Sequence, residues 1–533
     1  MPTITIDGKQ VECRKGINVL QAALEAGFDI PHYCYHPGLA VVASCRLCLM
    51  EMKVPHRTTR ELDWDARLVP ACQTPVKDGM EVRFNSARVR ENVRHVMEYY
   101  LLNHPLDCPV CDKAGECYLQ DYSERFGTPT SRMVEDKHKN PKKDIGPYTL
   151  LYQDRCVLCT RCVRFCDEIA GAGELAVVNR GSKGEIDVFP GQPLENELQG
   201  NVVDLCPVGA LIDKSFLFKE RVWLMRSARS ISPADSRGST IWIDHNNKGV
   251  HRIRPRFNPR VNEWWISDEA RFEWKYINSD ARLGEPRVRR DGELRSASWE
   301  GLPELLRMRF SEAAEGDDGA RVAAVLSPMM SCEEAYLLAK FVREIAPKST
   351  LVLGHVPIEG EDKTFPKGFV IKAEKCPNRR GVEAIIAHFG GATQSFEQFL
   401  TAAGDGRFAA AYVVGGYPRA WLDEGLARGL SRIEFLVAHD LFGSALDEHA
   451  TVQIPSAGFA EREGSFMNCD GLLQPFERAI PPLEGVKADG QFFHELIGGA
   501  GLFRAAELRE RLAAELPMLD ELYEPPDAPK HAH

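Results

Sequence analysis

The sequence predicts a multidomain protein that combines α+β domains with a larger α/β domain. Its 533 residues, 44% of them apolar, are enough to build several hydrophobic cores. Thirteen of its sixteen cysteines lie before Arg221, which divides the chain into a metal-rich front part and a metal-poor back part. In the back part, buried-strand patterns alternate with amphipathic helical patterns, as is typical of an α/β sheet.

Charge and hydropathy exclude several classes of protein. A formal net charge of -11 argues against a nucleic-acid partner, because phosphate contacts require a basic face. No apolar run approaches the roughly 18 to 20 residues of a membrane span. The strand pattern begins at Thr3, so we expect neither a signal nor a transit peptide. In the reducing cytoplasm that this implies, cysteines serve more often as metal ligands than in disulfides.

The first domain, predicted over residues 1–80, has the pattern of a β-grasp ferredoxin. The segments "TITID" and "KQVEC" flank the turn pair Asp7-Gly8, which predicts a β-hairpin. The segment "NVLQAALEAG" then predicts an amphipathic helix that ends at Gly27. A loop with closely spaced cysteines follows this helix.

The first group of cysteines has the spacing C-x10-C-x2-C-x23-C. Plant-type ferredoxins use C-x4-C-x2-C with a remote fourth cysteine, so the first gap is longer here. The context of hairpin, helix and loop nevertheless favours a [2Fe-2S] cluster. A structural zinc ion is the alternative, since four thiolates also suit zinc. We refer to these ligands as the first site: Cys34, Cys45, Cys48 and Cys72.

A second group follows a helical pattern that runs from Ser86 to Asn103. The segment "NHPLDCPVCDKAGECYLQD" supplies one histidine and three cysteines spaced H-x3-C-x2-C-x5-C, and Gly115 allows the loop to turn back. This pattern predicts an iron-sulfur domain over residues 81–122. Imidazole in place of thiolate is expected to raise the reduction potential, as it does in Rieske centres. The second site comprises His104, Cys108, Cys111 and Cys117.

A third group lies within a ferredoxin-like [4Fe-4S] domain predicted over residues 140–218. The segment "RCVLCTRCVRFC" contains four cysteines, and "VDLCPVGAL" contributes a fifth. In bacterial ferredoxins the remote ligand of a C-x2-C-x2-C run is followed by proline. Proline follows Cys206 and not Cys166, so Cys206 is preferred and Cys166 is the alternative fourth ligand. The third site therefore comprises Cys156, Cys159, Cys162 and Cys206.

The ligand count is consistent with three clusters. Eleven cysteines and one histidine provide four ligands for each of three clusters. The remaining cysteines are scattered, and we interpret them as small buried hydrophobic residues: Cys13, Cys166, Cys332, Cys376 and Cys469.

These cysteine motifs, with "YCYHPGL" and "SCRLCLMEM", resemble the family of the large iron-sulfur subunit of bacterial NADH:quinone oxidoreductase, respiratory complex I. The resemblance covers about the first 215 residues. It implies one [2Fe-2S] cluster, at the first site, and two [4Fe-4S] clusters, at the second and third sites. These clusters would receive electrons from the flavin- and NADH-binding subunit and pass them toward quinone. The resemblance also implies contacts with other peripheral-arm subunits. The chain would then lie on the cytoplasmic side of the bacterial inner membrane, attached only through the complex, and no residue would act as a catalytic acid, base or nucleophile.

The back part resembles the molybdopterin oxidoreductase fold. Residues 219–280 resemble its first domain but lack the cysteines of its cluster, and Ser267 stands where the remote ligand is expected. Residues 281–515 resemble its α/β domain, and residues 516–533 are predicted to be a flexible tail. Ser331 with Glu334 predicts a helix capping box. The resemblance implies a scaffold for docking that binds neither molybdenum nor a fourth cluster.

Nucleotide binding is not expected. Gly404, Gly406 and Ala409 are the nearest approach to a dinucleotide fingerprint, but they precede a strand, whereas a functional loop follows one. We therefore expect neither a flavin nor a nucleotide on this chain. Two other classes remain as alternatives: an iron-sulfur subunit of an NAD-linked hydrogenase or formate dehydrogenase, and a zinc scaffold without redox chemistry.

Overall fold

The structure is a computed structural model that describes residues 1–55, 61–390 and 394–527. The chain forms two units. The first contains residues 1–225, 365–369 and 527, and the second contains residues 226–364 and 370–526. None of the helices in the described ranges is both long and apolar enough to cross a membrane.

The first unit contains eleven short strands among its described residues. They are β1 (Thr3–Ile6), β2 (Lys9–Glu12), β3 (Leu49–Pro55), β4 (Leu62–Trp64), β5 (Val69–Pro70), β6 (Glu81–Arg83), β7 (Lys142–Asp144), β8 (Thr149–Tyr152), β9 (Leu175–Val178), β10 (Glu185–Val188) and β11 (Leu211–Asp213). Its α-helices are α1 (Val19–Glu25), α2 (Ala87–Leu101), α3 (Tyr118–Phe126), α4 (Arg161–Phe165) and α5 (Asn201–Leu205).

The N-terminal sheet has the predicted β-grasp arrangement. Its order is β2-β1-β6-β3-β4, with β5 paired to β3. β1 is antiparallel to β2 and parallel to β6, and the hairpin turn places Asp7 and Gly8 at positive φ. The Asn18 side chain accepts the N–H of Gln21 and begins α1, whose apolar face packs on the sheet.

The remainder of the first unit is built around smaller elements. Ser86 caps α2, and the buried residues Val89, Val93 and Met97 follow one helical face, as predicted. β11, β8 and β7 form a three-stranded sheet, and β9 pairs with β10. These short elements carry the loops in which the cysteines of the second and third sites lie.

The second unit is larger and contains fourteen strands among its described residues. They are β12 (Arg226–Ile231), β13 (Thr240–Asn246), β14 (Gly249–Pro255), β15 (Arg287–Arg290), β16 (Glu293–Ser296), β17 (Val322–Leu326), β18 (Thr350–Leu353), β19 (Lys363–Thr364), β20 (Val370–Ile371), β21 (Ala410–Val414), β22 (Phe435–Asp440), β23 (Val452–Pro455), β24 (Gly464–Met467) and β25 (Leu473–Phe476). Its α-helices are α6 (Asp268–Phe272), α7 (Leu302–Ala314), α8 (Cys332–Ile345), α9 (Arg379–His388), α10 (Phe396–Gly404), α11 (Glu424–Ala427), α12 (Asp489–Leu496) and α13 (Ala505–Leu512).

A seven-stranded sheet forms the centre of the second unit, in the order β16-β15-β23-β22-β21-β17-β18. The five strands from β23 to β18 are parallel. Along β17, alternate side chains enter two separate cores, because successive side chains of a strand point to opposite faces. Helices cover both faces, which confirms the predicted α/β class.

The remaining parts of the second unit agree with the local sequence patterns. β12, β13 and β14 form an antiparallel sheet. Ser331 and Glu334 form the predicted capping box at α8. Within the predicted tail, Leu516 and Leu519 are buried in the core, and Leu522 bridges to Leu473. Positions 528–533 of that prediction lie outside the described residues.

Candidate metal centres

Strand pairing assembles the first site. Cys34, Cys45 and Cys48 lie in the loop between α1 and β3, and Cys72 lies in the short 3-10 turn after β5. β5 pairs with the start of β3, and the Ala71 N–H donates to the Cys48 carbonyl at 3.0 Å. All four cysteines are buried. The structure therefore brings together residues that are up to 38 positions apart.

The thiols of the first site interact directly with one another. Cys34 forms side-chain hydrogen bonds with Cys45 and Cys72, which lower its pKa well below the ordinary value. Cys48 also forms a side-chain hydrogen bond with Cys72. The Tyr33 N–H points to the Cys45 Sγ at 3.5 Å. Hydrogen-bonded thiols with one amide donor supply the soft sulfur ligands that iron-sulfur clusters use, although the four thiols are not arranged around a single metal ion.

The second site lies in the turn between α2 and α3. Cys108 is exposed, whereas Cys111 and Cys117 are buried. Gly115 has φ +90°, a backbone conformation that favours glycine. The three thiols are close enough for electrostatic interactions between Cys108 and Cys111 and between Cys111 and Cys117. The predicted turning back of this loop at Gly115 is therefore observed.

His104 and Cys111 have one charged neighbour in common, Arg155. Burial, followed by the charges of Arg155 and Lys137, lowers the pKa of His104 to about 4. The imidazole is therefore neutral at physiological pH, which is the form that ligates metals. Arg155 also interacts electrostatically with Cys111 and forms a salt bridge of 2.7 Å with Asp107.

Cys117 lies at the N-terminus of α3. The backbone N–H groups of Gln120 and Leu119 hydrogen-bond its sulfur and oppose the effect of burial, which raises the pKa of Cys117 to about 11. Such amide donors stabilise a thiolate and tune the potential of a cluster bound to it. These donors make the Cys117 sulfur suitable as a cluster ligand.

The third site surrounds a small, partly open cavity. Pairing of β11 with β8 and the hydrogen bond from the Tyr152 N–H to the Ala210 carbonyl, 2.7 Å, bring the end of α5 to the loop after β8. The cavity lies between these two segments. The cysteines that line it are Cys156, Cys159, Cys162 and Cys206.

The loop that carries the first three cysteines of the third site has an unusual backbone conformation. Leu158 and Thr160 have φ of 52° and 60°, although neither is glycine. The Leu158 N–H donates to the Cys156 Sγ at 3.3 Å. Burial raises the pKa of Cys159 to about 11, and the charge of Arg161 opposes this effect. Four cysteines around one cavity fit a single four-iron cluster.

Cys166 is not among the residues that line this cavity. It is fully buried in a π-helical turn, Cys166–Ala170, directly after α4. Burial, followed by the charges of Glu174 and Asp167, raises the pKa of its thiol. Because Cys206 lines the cavity and Cys166 does not, this arrangement favours Cys206 over Cys166 as the fourth ligand.

Several residues around these sites were not singled out by the sequence patterns. A Cβ atom at Gly209 would lie 2.2 Å from the Cys111 Sγ, so a side chain cannot be accommodated there. Gly209 lies within the quoted segment "VDLCPVGAL", which was the available signal. No sequence pattern pointed to Arg155, Arg161 or Arg164, because their contacts join segments that are distant in sequence.

The cysteines of the second unit have separate partners. The Cys332 Sγ lies 3.5 Å from the Asn378 side chain, and Cys376 packs with Met329 and Tyr417. Ser267, at the position of the expected remote ligand, caps α6 by accepting the Ala270 N–H at 3.2 Å. Within the described ranges, no group of three or more His, Cys, Asp or Glu residues is arranged around a single metal ion.

A cleft of about 350 Å³ lies in the second unit. Its walls include Trp274, Tyr417 and Trp421, together with the Lys375 and Glu269 side chains, which form a salt bridge. None of the predicted metal ligands lines it. The cleft is therefore separate from the chemistry indicated by the cysteine motifs.

Four family models match the chain, three of them in the first unit. "2Fe-2S iron-sulfur cluster binding domain" matches residues 1–87, "NADH-ubiquinone oxidoreductase-G iron-sulfur binding region" matches 94–132, and "NADH-quinone oxidoreductase subunit 3, ferredoxin-like domain" matches 146–212. "NADH-ubiquinone oxidoreductase NDSU1/NuoG-like, 4Fe-4S domain" matches 225–275, where this chain has no cysteine. The matches support iron-sulfur clusters in the first unit.

Relatives with similar sequences carry related names. The G subunit of NADH-quinone oxidoreductase from Rickettsia bellii (strain RML369-C) is 38% identical over 65% of this chain and 48% of its own length. "NADH-ubiquinone oxidoreductase 75 kDa subunit" of Reclinomonas americana is 36% identical over 67% of this chain and 50% of its own. The chain spans about half the length of these relatives.

A solved structure matches part of the chain. A chain of the NAD+-reducing [NiFe]-hydrogenase in the H2-reduced state is 28% identical, covering 42% of this chain and 91% of that chain. The TM-score is 0.37, which is too low to establish a common overall fold.

Proposed function

We propose that this chain, a homologue of the G subunit of NADH-quinone oxidoreductase, is an iron-sulfur electron-transfer subunit of complex I. It receives electrons from the NADH- and flavin-binding subunit and passes them toward quinone. The observation that carries the proposal is the third site, where four predicted ligands from two segments distant in sequence line one cavity. Iron-sulfur clusters supply one-electron transfer at such sites.

The residues of this chain perform three tasks in this function. Thiolates and one imidazole bind the iron, with the ligand sets of the first, second and third sites as predicted. At the first and third sites, apolar neighbours exclude water, which lowers the local dielectric and makes the potentials sensitive to nearby charges. Backbone N–H groups aimed at sulfur, as at Leu158 and Tyr33, hold the ligands in position.

The second unit acts as a docking scaffold in this proposal. Its cysteines have separate partners, and the segment matched by the fourth family model lacks thiols. It binds neither molybdenum nor a further cluster. The chain is held at the cytoplasmic side of the bacterial inner membrane by its partner subunits.

Electron delivery tests the proposed role. We expect the purified, iron-loaded 533-residue chain to be bleached by dithionite but not by NADH alone. Adding the NADH- and flavin-binding subunit from the same organism should make NADH an effective reductant. A matched control uses that subunit without its flavin. Reduction of the chain by NADH alone, or failure with the complete partner, would contradict the proposal.

A further inference from the structure

Two arginines of the first unit are buried where the predicted sites approach one another. Arg161 is 0% exposed and Arg164 is 7% exposed. They lie on α4, on either side of the ligand Cys162. In the described residues, neither guanidinium forms a salt bridge with a carboxylate, although Glu168 acts on Arg164 through its charge. A buried charge without an ion-pair partner is expensive, so another source of negative charge is expected nearby.

Arg161 contacts a neighbour of a ligand from every predicted site. Its guanidinium donates to the carbonyl of Tyr35, which follows Cys34, and at 3.3 Å to the carbonyl of Leu205, which precedes Cys206. It also lies 5.7 Å from the ring centre of Tyr118, which follows Cys117. One positive charge therefore stands at the junction of the three sites.

Arg164 connects two of these sites. Its guanidinium donates to the carbonyl of Cys34 and, at 3.3 Å, to the carbonyl of Cys159. A further hydrogen bond reaches the Ala40 carbonyl in the loop of the first site. The charge of Arg164 also interacts with the thiols of Cys159 and Cys34. The first and third sites are thus linked by a single buried side chain.

We propose that Arg161 and Arg164 form a cationic bridge that fixes the ligand loops relative to one another and raises the reduction potentials of the clusters beside it. The inference rests on the proposed function. Clusters held by thiolates are anionic and gain another negative charge on reduction. A positive charge in a buried, low-dielectric position stabilises the reduced form more than the oxidised form. Both arginines are positioning residues.

The contacts predict different effects for the two arginines. Arg164→Gln should lower the midpoint potentials at the first and third sites and leave the second site unchanged. Arg161→Gln should lower the midpoint potentials at the first and third sites. It should also lower the potential at the second site, because Arg161 contacts Tyr118 beside that site. Arg161→Lys and Arg164→Lys retain the charge, so their potentials should lie nearer to wild-type values.

Redox titration monitored by paramagnetic resonance tests this inference on the full, iron-loaded chain, with iron counted in each variant. Arg125→Gln is the matched control, because Arg125 is on α3 of the same unit but is 42% exposed and paired with Asp29. Its charge is screened by solvent, so no shift is expected. Wild-type potentials in both glutamine variants, with all clusters retained, would overturn the inference.

The outcomes separate this inference from the proposed function. If the wild-type chain assembles no clusters, the proposed function fails. If a glutamine variant does not assemble the clusters, the lysine variant at the same position is titrated in its place. Recovery of the clusters at wild-type potentials supports the cationic bridge, whereas failure of the lysine variant as well would limit the arginine to folding of its loop and overturn the inference.

Discussion

Single side chains determine the charge and softness of each ligand set. In the proposed ligand sets, the second site differs from the others because an imidazole stands in place of one thiolate, and burial and the charge of Arg155 keep His104 neutral. At the third site, the choice between two cysteines depends on which thiol reaches the common cavity. These differences can be tested by replacing one ligand at a time.

Replacing His104 by alanine should remove or convert the signal of one [4Fe-4S] cluster and leave the other two signals unchanged. The reason is that the second site then retains only three ligands. Paramagnetic resonance of the reduced protein measures this result. His95→Ala, an exposed residue on α2, is the control. Unchanged spectra for the His104 variant would refute the ligand assignment.

Serine substitution at Cys206 should cost about four irons per chain, whereas serine at Cys166 should cost none. The hydroxyl is a poor iron ligand, and only Cys206 lines the cavity with the other three cysteines. Iron counting on the two purified variants decides the assignment. Loss of iron from the Cys166 variant alone would reverse it.

Secondary-structure elements position charged groups in the second unit as well. Asp440 ends the central strand β22 and is fully buried. The Trp421 indole N–H donates to it at 2.7 Å, and the Gly416 N–H donates at 2.9 Å. Burial raises the pKa of Asp440 to about 6, despite these donors. The end of β22 is therefore a pH-sensitive point of the fold.

The contribution of Asp440 to folding stability should fall as the pH rises from about 4 to about 6, because the folded chain retains a proton on Asp440 that the unfolded chain has released. Asp440→Asn should remove this component, on the order of 2 to 3 kcal/mol. Denaturant unfolding of the second-unit transition at several pH values measures it. Asp405→Asn, an exposed aspartate after α10, is the control. An equal pH dependence in wild type and Asp440→Asn would contradict the prediction.

At the scale of the whole molecule, the distribution of cysteines follows the division into two units. The first unit, which ends its main segment at Met225, contains all thirteen cysteines that precede Arg221. The second unit has a conventional α/β core without a group of thiols among its described residues. In the proposed function, redox chemistry and docking are thus assigned to different units of the chain.

Metal analysis of the intact chain should find about ten irons, from one two-iron and two four-iron clusters, and neither molybdenum nor tungsten. The reason is that the described part of the second unit offers no set of closely placed thiolates. Stoichiometric molybdenum, or about fourteen irons, would restore the catalytic alternative. Stoichiometric zinc in place of iron would favour the structural alternative.

The sequence alone determined the classes of element and the local parts of each ligand set. The hairpin, α1, α2 and the capping box of α8 follow from patterns within a few residues, because backbone conformation and capping are local effects. The C-x2-C spacings and the H-x3-C motif are local in the same sense. They predict thiolates at a common loop before any packing is known.

Only the tertiary structure decided which distant segments meet. The approach of Cys72 to the first site depends on the pairing of β3 with β5, and that of Cys206 to the third site depends on the pairing of β8 with β11. The contacts of Arg161 span up to 126 positions. No local pattern encodes such contacts, because they arise from the packing of elements whose separate sequences carry no information about their partners.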